Sequence, residues 1–217
     1  MQIKNHHYLI LALLLLGFVG TAYATGAGFY LGGMAGQSNL QNKPRLVQTG
    51  GTPAFVMANP TNTGFGARLF LGYGVNPYFA VEGGWTYYTP SKYKTNVFPA
   101  CGNPEIQENT IDVVGKGMVP FSTSGFSIFA KGGIAMASLG TAGRLSSQTL
   151  NSCANNMTST SLRPVAGIGV SYDMTQSWVV DLSYTRVFSG SGFPSANLAA
   201  LGISYHFVNA MCGQFLC

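Results

Sequence analysis

Apolar residues along this chain alternate with small or polar ones rather than gathering into long runs. In Ala67-Arg68-Leu69-Phe70-Leu71-Gly72-Tyr73-Gly74-Val75, one face carries Ala67, Leu69, Leu71, Tyr73 and Val75, and the other Arg68, Phe70, Gly72 and Gly74. A two-residue period marks a strand whose two faces meet different surroundings. Eight such segments occur, at 26–37, 64–75, 78–88, 110–121, 126–138, 161–172, 178–188 and 196–207. A tilted strand needs roughly 9–11 residues to cross a bilayer, and these segments are long enough. No later run of about 18 apolar residues exists to form a spanning helix.

The connections between segments alternate in length. Those at 38–63, 89–109 and 139–160 are long, those at 76–77, 122–125 and 173–177 are short, and the one at 189–195 is intermediate. Short turns at one end and longer loops at the other are the arrangement of a transmembrane barrel. A soluble sandwich gives no reason for such alternation. The pattern predicts an all-β fold, an eight-stranded antiparallel up-and-down barrel. An even strand count puts both chain ends on one side, expected to be the periplasm.

The first residues read differently. Lys4 is followed by an apolar run over 8–20, and Ala22-Tyr23-Ala24 is a small-x-small cleavage site. This is the pattern of a secretory signal peptide over 1–24, leaving a barrel over 25–207 and a short periplasmic tail over 208–217. Removing Lys4 leaves ten Lys and Arg against six Asp and Glu. That scattered excess gives no reason to expect a nucleic-acid partner.

Charged residues make up 8% of the chain, against about 25% in soluble domains, so where they fall is informative. Arg68, Glu82, Asp112, Lys116, Lys131, Arg163 and Asp181 lie well inside the segments, each with parity opposite to its strand's apolar set. A charge on the lipid face costs about 2–4 kcal/mol at midplane, so all seven are expected to point into the lumen. Arg186 has lipid parity but sits at a strand end, where it can reach headgroups. In the first segment Phe29, Leu31, Gly33 and Ala35 are expected to face outward. Tyr73, Phe79, Phe121, Phe126, Tyr172, Trp178, Tyr205 and Phe207 would ring the short-turn end. Trp85, Tyr87, Tyr184 and Phe188 would lie toward the other. Gly, at 29 residues, is unfavourable in strands, and small interior positions of a tight barrel give it a reason.

Several stretches carry a resemblance: Gly28-Phe29-Tyr30-Leu31-Gly32-Gly33, Leu71-Gly72-Tyr73, Val81-Glu82-Gly83-Gly84-Trp85, Phe129-Ala130-Lys131-Gly132-Gly133, Arg163 through Val170, and Asp181-Leu182-Ser183-Tyr184. In this order and spacing the chain resembles the eight-stranded barrel domain of OmpA-like outer membrane proteins and the related opacity-type surface antigens. The resemblance implies a bacterial outer-membrane location amid lipid and lipopolysaccharide. It also implies a C-terminal strand in which Gly202, Tyr205 and Phe207 match the signal read by barrel-assembly machinery. Larger family members carry a peptidoglycan-binding domain after the barrel, and ten residues follow Phe207 here, so that activity is not carried over.

Eight strands enclose a lumen that side chains just fill. The seven interior charges are therefore expected to pair, with Glu82 near Lys116 and Lys131 in the same zone as Asp181. They would form either a polar plug or a charged gate to a low-conductance pore. A barrel enzyme acting on lipid A is the rival class. Its candidates are Ser204 and His206, two residues apart on one face and within the reach general-base chemistry needs. The expected role is not enzymatic, with no cofactor and no metal site. The expectation is instead a structural and surface-interaction role, with the long loops as recognition surface. Their cations Lys43, Arg45, Lys92, Lys94 and Arg144 suit lipopolysaccharide, a host surface or another extracellular ligand. Four cysteines in an exported chain point to disulfides. Cys101 and Cys153 sit in two long loops and Cys212 and Cys217 in the tail, so only the pairing within each set avoids crossing the barrel.

Overall fold

A computed structural model describes residues 27–48, 55–94, 105–121, 124–142, 157–190 and 193–207. They form eleven strands: β1 (Gly28–Leu40), β2 (Arg45–Gln48), β3 (Phe55–Pro60), β4 (Thr63–Asn76), β5 (Phe79–Tyr88), β6 (Ser91–Lys94), β7 (Glu105–Pro120), β8 (Phe126–Ala142), β9 (Met157–Asp173), β10 (Trp178–Val187) and β11 (Ala196–His206). No helix occurs among the described residues.

Eight of the strands close a barrel. The order β7-β5-β4-β1-β11-β10-β9-β8 returns to β7 through a β7–β8 pairing, and every neighbouring pair is antiparallel. Closure leaves no free edge within the barrel wall, the condition for strands to cross hydrocarbon. The first and last barrel strands meet in register, Leu31 opposite Tyr205 and Leu40 opposite Ala196.

Local chemistry sets the short turns. Between β4 and β5 the Asn76 side chain accepts a hydrogen bond from the Tyr78 N–H at 2.8 Å, closing an Asx-type turn. Between β9 and β10, Thr175 Oγ1 accepts from the N–H groups of Ser177 and Trp178 at 3.2 and 3.0 Å. Gly125, just before β8, has φ of 74°, a backbone state in which a side chain would be strained.

The other three strands correct one expectation. The connection at 38–63 is not a plain loop. β2 and β3 form a hairpin there, with Val47 opposite Val56. β3 pairs in turn with β6 (Pro60 opposite Tyr93), and β6 pairs with β7 (Ser91 opposite Ile106). β7, β8 and β9 also start or end beyond their expected limits, so the barrel wall rises higher on this side. The expected segments stopped where outward residues cease to be apolar. Main-chain pairing needs no apolar face and continues past that point.

The two faces divide as the alternation requires. Leu31, Leu69, Leu71, Val81, Ile111, Val113, Ile134, Ile168, Leu182 and Ile203 are exposed on the outer wall. Phe29 and Leu31 point out while Tyr30 and Met34 are buried, so β1 has the expected orientation. At the short-turn end Phe29 packs on Tyr73 (4.8 Å between ring centres), Phe126 on Tyr172 (4.6 Å) and Trp178 on Tyr205 (5.0 Å), forming an aromatic rim. Trp85, Tyr184 and Phe188 are exposed toward the long-loop end.

Candidate functional site

The lumen holds the buried charge. Arg68, Glu82, Asp112, Lys116, Lys131, Arg163 and Asp181 are all buried, joined by Glu108. The set is four cations and four anions, electrically balanced, as a low-dielectric interior requires of charges that cannot reach water.

Glycines decide how the long side chains lie. Tyr30 on β1 stands opposite Gly72 on β4, and Gly72 stands opposite Glu82 on β5. A Cβ on Gly72 would fall within the Tyr30 ring. The ring therefore crosses over Gly72, and its hydroxyl donates to Glu82 Oε1 at 3.0 Å. Phe129 likewise covers its register partner Gly169, and Lys131 covers Gly167. Arg68 passes over Gly84, where a Cβ would come within 2.5 Å of Nη2, to reach Asp112 on β7 beyond it. Large side chains covering facing glycines are a known device of curved sheets, and they account for much of the glycine in these strands.

Six charges form the lower cluster. Arg68 grips Asp112 with both terminal nitrogens, Nη1 to Oδ2 at 2.9 Å and Nη2 to Oδ1 at 2.8 Å. Arg68 Nη2 also lies 3.7 Å from Glu82 Oε2. Lys116 Nζ sits 3.3 Å from Glu82 Oε1 and 3.6 Å from Asp181 Oδ1, and 4.2 Å from the centre of the Phe129 ring. Lys131 has no carboxylate within 4.0 Å among the described residues. Lys131 and Asp181 both belong to this lower cluster, but the ion pair of Asp181 is with Lys116. The tilt and stagger of barrel strands shift lumen heights between non-adjacent strands, so position along each strand does not give the partner.

A separate assembly sits above. Arg163 on β9 binds Glu108 Oε1 at 2.7 Å through Nη1, Phe188 O at 2.6 Å through Nε, and Pro194 O through Nη2. Its guanidinium also lies over Phe193, 5.6 Å from the ring centre. One side chain thus joins two barrel strands to both limbs of the connection between β10 and β11. Glu108 was not among the expected charges, because 89–109 reads as a loop. Its signal is the alternation Ile106, Glu108, Thr110, Asp112, which extends the inward set of β7.

At the short-turn end a cavity of about 70 Å³ is bordered by Tyr30, Lys116, Asp181 and His206. His206 stacks on Tyr30 with ring centres 4.5 Å apart, and its Nε2 lies 3.3 Å from Ser204 Oγ. No carboxylate lies within 4.0 Å of His206 among the described residues.

On β11, Gly202 faces Met34 in the lumen, whereas Tyr205 lies in the aromatic rim, 5.2 Å from Phe207. Phe207 donates its N–H to Phe29 O at 2.9 Å, fastening the end of the barrel to its start. Among the loop cations Lys43 is exposed, and Lys92 forms an exposed pair with Glu105 at 3.3 Å. Arg45 and Lys94 belong to β2 and β6. Arg144, the four cysteines and residues 1–24 lie outside the described residues.

The chain is similar to known proteins in sequence and in fold. A family model described as an outer membrane protein beta-barrel domain matches residues 9–207. An uncharacterized protein of Coxiella burnetii (strain RSA 493 / Nine Mile phase I) is 35% identical over 227 residues, covering 88% of this chain and 90% of that protein. Among solved structures, Neisserial surface protein A is similar with a TM-score of 0.56 and 15% identity, over 84% of this chain and 99% of that one. The outer membrane protein OprG from Pseudomonas aeruginosa is similar with a TM-score of 0.50 and 12% identity, over 84% of this chain and 98% of that one.

Proposed function

Because the chain belongs to the outer membrane protein beta-barrel domain family, we propose that it is a structural and surface-interaction protein, not an enzyme, that meets its partners through the long-loop end. The observation that carries this reading is the filled lumen. Eight buried charges and the rings of Tyr30, Phe70 and Phe129 occupy it, leaving the loop end as the surface available for recognition. In the proposed orientation the short turns and both chain ends lie in the periplasm, after loss of a signal peptide over 1–24. The barrel-assembly machinery would read Gly202, Tyr205 and Phe207. Lipopolysaccharide and host or other extracellular surfaces are the proposed partners of the loops.

The test has two arms. An epitope inserted into 143–156 should be reachable by antibody on intact cells, while one placed after 207 should be reachable only after permeabilisation. Planar-bilayer recording of the purified protein should show no steady conductance. The second reading, a low-conductance pore, draws on the lower cluster, where Lys116 lies between Glu82 and Asp181 and Arg68 lies between Asp112 and the same Glu82. Ion pairs can exchange partners where apolar packing cannot. Discrete openings that change when Arg68 or Lys116 is replaced would favour the pore.

A further inference from the structure

We propose that a groove at the long-loop end binds the phosphate of a membrane glycolipid, with Arg186 as its principal contact. The proposal rests on the outward orientation of that end argued above. The groove, of about 540 Å³, lies between the 41–44 segment and the β10–β11 connection, and Gln41, Lys43, Arg186, Ser189 and Ser195 are among its lining residues. That volume is in the usual range for a small-molecule site of roughly 300–1,000 Å³.

Arg186 differs from the ion-paired cations of the lumen. Arg68, Lys116 and Arg163 each meet a carboxylate, whereas Arg186 has none within 4.0 Å among the described residues. Its Nη2 makes only long contacts, 3.4 Å each, to Gln41 Oε1 and Ser195 Oγ, and its Nε is buried without a hydrogen-bond partner. The guanidinium is held in place by these two groups and by Phe188, whose ring centre is 5.8 Å away. Its planar fork is therefore presented with donors to spare. The described lining contains two cations and no acidic residue. An anion with several acceptor oxygens completes such a set, and phosphate suits a guanidinium better than a single-point acceptor does.

Position selects a lipid as the source. Arg186 shares the outward parity of Tyr184 and Leu182, both exposed on the barrel wall. They lie two and four residues along the strand, about 7 and 13 Å away. A phosphate on Arg186 would thus sit directly above an apolar wall. An amphipathic molecule can satisfy both at once, with its sugar phosphate in the groove and its acyl chains along Leu182 and Leu201. A free anion uses only the first.

The test is native mass spectrometry of the folded protein released from phosphatidylcholine nanodiscs containing lipid A. The wild type should retain lipid A. Arg186→Gln should retain about tenfold less, the loss expected for one charge-assisted contact. Arg186→Lys should recover part of the difference, Lys43→Gln should show an intermediate loss, and Gln176→Ala, exposed in the short turn at the opposite end of the barrel, should match the wild type. Heat-modifiable migration of each variant on gels verifies that it is folded. Equal retention by folded Arg186→Gln would overturn the proposal, as would displacement of lipid A by inorganic phosphate at equal concentration, which would make the groove a soluble-anion site. The epitope test separates this from the orientation reading: accessible loops with lipid A binding indifferent to Arg186 would sink the groove alone.

Discussion

Lys116 and Lys131 stand directly opposite each other across the β7–β8 ladder, both buried, and only Lys116 has carboxylates within 4.0 Å. Like charges facing across a ladder destabilise it, so the pair persists only because Glu82 and Asp181 hold Lys116 and the six-charge cluster is neutral as a whole. The two lysines should differ on substitution. Lys116→Met leaves two carboxylates without their nearest cation and should cost about 3–5 kcal/mol. Lys131→Met breaks no ion pair, removes the facing repulsion, and should cost clearly less. Urea unfolding of both variants in lipid vesicles measures the difference, and equal losses would contradict the assignment of partners.

The contrast between these lysines also marks what the sequence could reveal. Their parity was readable because lipid and lumen are different solvents, and a charge placed on the wrong face is costly. Their partners were not, because Arg68 reaches Asp112 by crossing over β5 at Gly84. Such a contact depends on barrel stagger and on the absence of one side chain. Glu108 was missed for another reason. Gln107 and Asn109 flank it on the outer face of β7, where no lipid demands an apolar residue, so the strand signal fades although the strand continues. The β2–β3 hairpin lies wholly in such a region.

The parity argument makes a direct prediction at Leu71 and Gly74. Leu71 is 53% exposed on the outer wall, while Gly74 is buried and borders the lumen cavity at the short-turn end. Leu71→Arg places a guanidinium in hydrocarbon and should cost about 2–4 kcal/mol, with a lower folded yield. Gly74→Arg has a mouth to extend through and should fold better. Folding yield into liposomes, read by heat-modifiable migration, compares them.

Arg163 supplies a third. Its bonds to Glu108, Phe188 O and Pro194 O hold the β10–β11 connection to the barrel. Arg163→Leu releases both carbonyls and leaves Glu108 as an unpaired buried charge, a loss of about 3–5 kcal/mol. The connection over 188–195 should then become a new site of cleavage in limited proteolysis. Adding Glu108→Gln removes the stranded charge and should restore part of the stability, but it cannot restore the contacts to the two carbonyls. The double variant should therefore be more stable than Arg163→Leu and equally open to protease. Protection of the connection in both variants would show that Arg163 does not secure it.

The last prediction concerns Cys101 and Cys153, proposed to form one disulfide. Cys101 precedes the first residue of β7 by four positions, and Cys153 precedes the first residue of β9 by four. Those strand ends are close in the barrel: Glu105 pairs with Ala142, and the adjacent Thr141 pairs with Met157. Glu105 and Met157 are therefore about two strand spacings apart, roughly 10 Å. Four residues can span about 13 Å from each end, so the two sulfurs can meet above β8 without distorting the wall. Cys212 and Cys217 come after Phe207, whose ring lies in the rim at the short-turn end, and are expected to pair with each other. Non-reducing peptide mapping should recover Cys101 linked to Cys153. Replacing both with Ser should leave barrel folding intact, since strand pairing and lipid burial close the wall, while the outer segments become easier to cleave. A bond from Cys101 to Cys212 or Cys217 would place a long loop and the tail on one side, which an eight-stranded barrel cannot do.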